Sequence, residues 1–190
     1  MRGPIDPTAK LSRQETALLV VDVQERLFSA MEAGRRDAMV KNIKILVAAA
    51  QRLGLPLLVS EQYPKGLGHT LPELRDVLAG VEPFEKVAFS CCAAEGFSHR
   101  LRDAGTKGLI VTGIETHVCV LLTALDLLAA GYHVYVPADA VCSRARENYE
   151  IGLAQLRDAG AVVTSAETLL FQLLGRSDTE DFRALQGLIK

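Results

Sequence analysis

Excess charge of one sign is missing from this chain: 21 Lys and Arg stand against 23 Asp and Glu, for a formal net charge of −2. The basic residues are scattered and offset by acidic ones, which argues against a nucleic-acid surface. Nor is there a polybasic stripe to meet a membrane. Long hydrophobic runs are also missing. The longest, Val118–Ala130, is broken by Asp126 and is too short to span a bilayer. No secretory signal opens the chain. Met1–Glu15 is polar, carries two prolines and reads as a loose N-terminal arm ahead of a single domain over residues 16–190. A soluble, cytoplasmic protein is expected.

Cysteine is sparse, at four residues: Cys91, Cys92, Cys119 and Cys142. None forms a CxxC pair and no histidine stands at finger spacing, which disfavours a zinc ribbon or a thioredoxin-type site. Free thiols are the default in a cytosolic chain. No GxGxxG follows the first apolar run, where DVQER stands instead, so a dinucleotide cofactor is not expected. Solenoid repeats and low-complexity segments are absent too.

What is present is an alternation. Six short apolar runs read as strands: TALLVVDVQ (Thr16–Gln24), LPLLVSEQ (Leu55–Gln62), KVAFS (Lys86–Ser90), GLIVTG (Gly108–Gly113), HVYVPADAV (His133–Val141) and AVVTSA (Ala161–Ala166). They are near-continuous rather than alternating, as in strands buried on both faces. Helical patterns lie between them, over Arg36–Leu53, Ala94–Ala104, Val118–Ala130 and Ala145–Ala159, and two more close the chain. Four of them end in glycine (Gly54, Gly105, Gly131, Gly160), each followed by a strand. This is the pattern of right-handed βαβ units. It predicts a three-layer α/β/α domain with a six-stranded, mostly parallel sheet. Glu61–Pro72, rich in Gly and Pro, reads as a loop at a strand's carboxyl end. The Val118–Ala130 helix is apolar on every side, which predicts that a neighbouring subunit covers its outer face and that the protein is a homo-oligomer.

Ligand sites in open α/β sheets gather at the carboxyl ends of strands. Three residues stand near such ends. Asp22 follows the first strand, either as a cap for the next helix or as a general base. Lys86 lies near the third run, either solvated or functional. Cys119 opens the helix after the fourth strand. There it is either a small core residue or a thiol whose thiolate is stabilised by unpaired amides and the helix dipole. An acid–base residue, a cation and a thiol form a coherent nucleophilic set.

At these residues the sequence resembles the isochorismatase-like cysteine hydrolase family. LLVVDVQ is similar to its first strand, KVAFSCCAAEGF to its lysine motif, and VTGIETHVCV to its cysteine motif, followed by AGYHVYVPADAVCSR. The resemblance covers about Thr16 to Lys190. It implies a Rossmann-like fold and a catalytic triad of Asp22, Lys86 and Cys119, in which the thiolate attacks a small amide-like substrate and forms a thioester-type intermediate. It also implies a cis peptide between Ile114 and Glu115, with the backbone N–H groups of Glu115 and Cys119 forming an oxyanion hole. Gln24, Phe28 and Tyr63 are candidate substrate-binding residues; each could equally pack or hold neighbours in place. The Asp-x-His metal motif of the nicotinamidase branch is replaced by Ser60, Glu61, Gln62 and Tyr63, with only His69 beyond, so neither a metal nor another cofactor is expected. SEQYPKGLG with GIETHVC most resembles the branch of uncharacterised isochorismatase-domain-containing proteins. The rival readings are a catalytically silent binding or scaffold module, and a redox protein in which Cys119 forms sulfenic acid or pairs with Cys91 or Cys92.

Overall fold

The computed structural model describes residues 11–189. The elements follow in the order β1 (Thr16–Val21), α1 (Glu25–Ser29), α2 (Ala33–Leu53), β2 (Leu57–Gln62), α3 (Pro64–Leu67), α4 (Pro72–Arg75), β3 (Phe84–Lys86), α5 (Phe97–Asp103), β4 (Gly108–Ile114), α6 (Leu121–Ala129), β5 (His133–Pro137), β6 (Val141–Cys142), α7 (Arg146–Asp158), β7 (Val162–Thr164), α8 (Ala166–Leu174) and α9 (Glu180–Leu185). The strands pair in parallel in the order β3-β2-β1-β4-β5-β7, and β6 pairs with the far end of β4.

The sheet therefore has the six main strands that the apolar runs predict and a short seventh. The seventh arises because His133–Val141 is not one strand. A 3₁₀ turn at Ala138–Ala140 follows Pro137 and moves the chain from pairing with Gly108–Ile110 to pairing with Gly113 and Ile114. The third run also differs. Its strand ends at Lys86 instead of starting there, and residues 87–90 form no strand. The Lys86 ammonium takes the carbonyls of Ala88 and Phe89, which curls this segment away from sheet pairing and leaves Val87 and Phe89 exposed.

Alternation along β1 builds both layers of core. Leu18 and Val20 face Met39, Ile43, Leu46 and Val47 of α2. Ala17, Leu19 and Val21 face Phe97 and Leu101 of α5, Ala124 and Leu127 of α6 and Leu156 of α7. The four predicted glycine stops all adopt positive φ, from 62° to 100°. Residues 1–10 of the expected arm lie outside the described residues, and Leu11 is buried against the α2 side of the core.

Helix α6 departs from the expectation of burial on every side. Leu121, Ala124 and Leu127 are buried, whereas Leu122 and Leu125 are exposed in the single chain, with Ile151 of α7. The preceding residues, Thr116–Val120, form a π-helical turn, so Cys119 precedes α6 instead of lying in its first turn.

Candidate active site

The strand order reverses between β1 and β4: β2 and β3 lie beyond β1, while β5 and β7 lie beyond β4. The crevice at such a reversal is the usual ligand site of an open α/β sheet. Val21 pairs with Gly113, so the segments leaving both strands start side by side. Gly113 has φ +107°, and a Cβ there would lie 2.1 Å from the Val21 carbonyl oxygen. Only glycine permits this approach. The chain leaves β1 through Asp22, itself at φ +52°. It leaves β4 through the Ile114–Glu115 peptide, which is cis.

The structure brings Asp22, Lys86 and Cys119 together. Lys86 Nζ donates to Asp22 Oδ2 at 2.7 Å, and the two side chains are 1% and 0% exposed. Cys119 lies close enough to Asp22 for the carboxylate to raise the thiol's pKa. Lys86 also donates to Gln62 Oε1 at 2.7 Å and to the carbonyls of Phe89 at 3.0 Å and Ala88 at 3.3 Å. Nearly all of its hydrogen-bonding capacity is used, which an ammonium needs when buried.

The Cys119 thiol does not rest as the thiolate that a helix terminus would favour. Burial, and then the Asp22 charge, push its pKa up to about 12, against a smaller opposing pull from Lys86. The thiol is therefore protonated at neutral pH, and its activation requires transfer of that proton to a nearby base. Around it, the Glu115 carbonyl accepts from the amides of Val118 at 3.0 Å and Val120 at 3.2 Å, on either side of Cys119.

The turn that carries Cys119 is pressed in place by α7. A Cβ on Gly152 would lie 3.0 Å from His117 Cα and N. His117 Nδ1 meets Ser143 Oγ at 3.0 Å, and the Glu115 carboxylate takes the Arg144 amide and Nε. Thr116 is fully buried with its hydroxyl unpartnered among the described residues. The Glu115 and Thr116 side chains are thus packed inside, not turned to solvent.

The candidate substrate residues fare differently. The Gln24 side chain donates to the carbonyls of Gln62 (3.0 Å) and Gly68 (2.6 Å) and accepts from the Gln62 amide (2.7 Å). It ties β2 to the following loop and is fully buried. Phe28 packs on the α2-side core, under the Arg36 guanidinium. Tyr63 is half exposed, at φ +37°, with its amide on the Lys86 carbonyl and its ring against Gly66. The stretch expected as a loop from Glu61 begins in β2 and contains the one-turn helix α3.

Sequence reasoning missed three residues. Ser60 donates to Asp22 Oδ1 at 2.7 Å, Cys91 donates to Ser60 at 3.3 Å, and Gln62 bridges Lys86 to the Val87 carbonyl. The period-2 alternation of LVSEQ could have exposed Ser60 and Gln62, since it aims both at one face. It also missed that His69 has a carboxylate partner: Glu61 Oε2 lies 2.9 Å from His69 Nδ1, while Glu61 Oε1 accepts from the Thr70 amide and hydroxyl. Among the described residues no group of three or more His, Cys, Asp and Glu is placed to hold a metal ion.

Residues 16–168 match the model of the isochorismatase domain. The chain belongs to the isochorismatase domain family. Animal relatives include isochorismatase domain-containing proteins 1 and 2, and the chain spans 61% of the Salmo salar protein 1. A secreted isochorismatase effector of Phytophthora sojae is 36% identical, over 95% of this chain and 87% of that one. Among solved structures, MAR1 ribonuclease of Caenorhabditis elegans superposes with a TM-score of 0.89 at 38% identity, covering 95% of this chain and 92% of that one. YcaC of Pseudomonas aeruginosa, solved with hexane-2,5-diol and covalent acrylamide, has a TM-score of 0.89 at 25% identity, covering 96% and 93%. Family membership assigns no compartment, since one relative is named as secreted. Among the described residues no helix is long and apolar enough to cross a membrane.

Proposed function

We propose that this protein is a cysteine hydrolase that cleaves a small amide-like substrate through a thioester intermediate on Cys119. The observation that carries the reading is one buried carboxylate, Asp22, bonded to the Lys86 ammonium and close enough to the Cys119 thiol to hold its proton on. Few structural roles call for a buried ion pair with a thiol on it, because its charges cost desolvation that packing would avoid. A thiol whose pKa is pushed up this far beside a buried ion pair marks a candidate reactive site.

In the proposed cycle, Asp22 takes the Cys119 proton as sulfur attacks the substrate carbonyl. The oxyanion that forms is met by the amides of Glu115 and Cys119, and Lys86 offsets negative charge nearby. The C–N bond breaks, and protonated Asp22 gives its proton to the departing amine. Water then attacks the thioester, Asp22 takes the water's proton, and the acid leaves as the thiol is restored. Such donors are worth several kcal/mol each where water is excluded.

We read the reaction as metal-independent. The Lys86 ammonium already supplies the positive charge beside Asp22, and the Glu61 oxygens are occupied by Thr70 and His69. Cytoplasmic residence belongs to the same proposal and rests on four free thiols. So does a homo-oligomer closed over the exposed α6 leucines. Acrylamide alkylates nucleophiles at its vinyl carbon and keeps its amide, so the covalent adduct on the Pseudomonas relative supports a reactive nucleophile, not a substrate class. The worm relative is called a ribonuclease, so RNA belongs in the panel as the competing substrate. The test is hydrolysis of small amides, esters and RNA by the wild type and by Cys119→Ala and Asp22→Asn. Amide or ester turnover lost in both variants supports the proposal. RNA cleavage that survives Cys119→Ala defeats it.

A further inference from the structure

Asp22 must serve in two protonation states, and each needs different partners. Ionised, it needs donors. Protonated, it needs an acceptor for its own O–H. Lys86 satisfies Oδ2 in the ionised state but offers no lone pair. The other oxygen, Oδ1, faces Ser60 Oγ at 2.7 Å, and Ser60 Oγ faces Cys91 Sγ at 3.3 Å. All three side chains are fully buried. Cys91 is itself fixed, with its amide on Thr123 Oγ1 at 2.9 Å, one helical turn beyond Cys119.

We infer that Ser60 and Cys91 form a reversible hydrogen-bond chain that positions Asp22 and tunes it for proton exchange with Cys119. A hydroxyl and a thiol each can donate or accept. With Asp22 ionised, the chain runs Cys91 to Ser60 to Asp22. When Asp22 has taken the Cys119 proton, both rotors turn and the chain runs Asp22 to Ser60 to Cys91. No proton leaves the chain and no water is required. Burial pushes the Cys91 thiol up, so it keeps its proton in both arrangements. An alanine at position 60 would take away the hydroxyl and leave Asp22 Oδ1 without its Ser60 donor. This rests on the triad reading above and assigns two positioning residues to it.

The groups facing Asp22 are Lys86 from β3, Ser60 from β2, Cys119 from the π-helical turn and Cys91 from the segment after β3. Of these, Ser60 and Cys91 can be exchanged without touching the nucleophile or the cation. The probe is acrylamide, small and neutral, and the readout is the rate of Cys119 alkylation against pH by peptide mass spectrometry. In the wild type the rate rises with pH as the Cys119 thiol, held protonated by burial and by Asp22, gives up its proton. Ser60→Ala removes a donor to the ionised carboxylate, so the rising limb moves to higher pH by about one to two units. Ser60→Thr returns it to the wild-type position. Cys91→Ala gives a smaller move in the same direction, and Cys91→Ser gives none. Thermal unfolding confirms that each variant folds. If Ser60→Ala lowers the rate equally at every pH, Ser60 is a spacer and the inference falls while the triad stands. If Asp22→Asn leaves the wild-type profile unchanged, the triad reading fails, and the inference with it.

Discussion

Replacing Lys86 by methionine keeps most of the length of the side chain and removes its ammonium. Four acceptors lose their donor: Asp22 Oδ2, Gln62 Oε1 and the carbonyls of Ala88 and Phe89. The dominant loss is Asp22, left buried at 0% exposure with the Ser60 hydroxyl as its side-chain donor among the described residues. Breaking one side of a buried ion pair costs about 3–5 kcal/mol. In a domain of this size that is a fall in melting temperature of roughly 6–20 °C. The double variant Asp22→Asn/Lys86→Met has no buried charge and should recover at least half of the loss. Melting followed by circular dichroism at pH 7 on the three proteins measures this. A single variant as stable as the wild type at pH 7, or a double variant no better than the single, would refute the reasoning.

Gly113→Ala should destabilise by several kcal/mol or prevent folding, because the Cβ meets the β1 backbone at 2.1 Å and φ is +107°; expression and denaturant midpoints report it. Gly152→Ala should fold but displace His117, since the clash is at 3.0 Å, and Cys119 alkylation should slow more than stability falls. The Glu61 carboxyl is penalised by burial, yet the Thr70 amide, His69 and the Thr70 hydroxyl together hold it below its ordinary value. It therefore adds stability above the unfolded-state value that is lost as pH falls through the folded one. The stability of Glu61→Gln should accordingly fall less steeply with acid than that of the wild type. Leu122→Asp/Leu125→Asp should lower the mass found by light scattering, because both side chains are exposed in the single chain; an unchanged mass would place any subunit contact elsewhere.

Most of the fold was legible because its signals are local. Near-continuous apolar runs such as LLVV are buried on both faces here, and glycine stops such as Gly54 adopt the left-handed conformation their position implies. The errors fell where tertiary contacts override a run of apolar residues. Residues 87–90 are apolar enough for a strand but are bent by the buried Lys86 ammonium. His133–Val141 is mostly apolar but is broken after Pro137. Cys119 looked like a helix-terminus thiolate, and its surroundings instead keep it a thiol, because desolvation outweighs the nearby cation. Asp22, Lys86 and Cys119 could be named from strand ends, but their convergence depends on which strands lie side by side. Ser60 could be found only through the alternation of its strand, and Cys91 gave no signal, since a cysteine in an apolar segment is an ordinary packing residue.

The most direct test of the central claim is limiting alkylation with iodoacetamide, mapped to each cysteine, on wild type and Asp22→Asn. Exposure alone ranks Cys92 first, since it is the only thiol of the four that is not buried. The account predicts that Cys119 labels first despite burial, and that it loses this lead in Asp22→Asn. Labelling in the order of exposure, unchanged by Asp22→Asn, would contradict a thiol activated by Asp22.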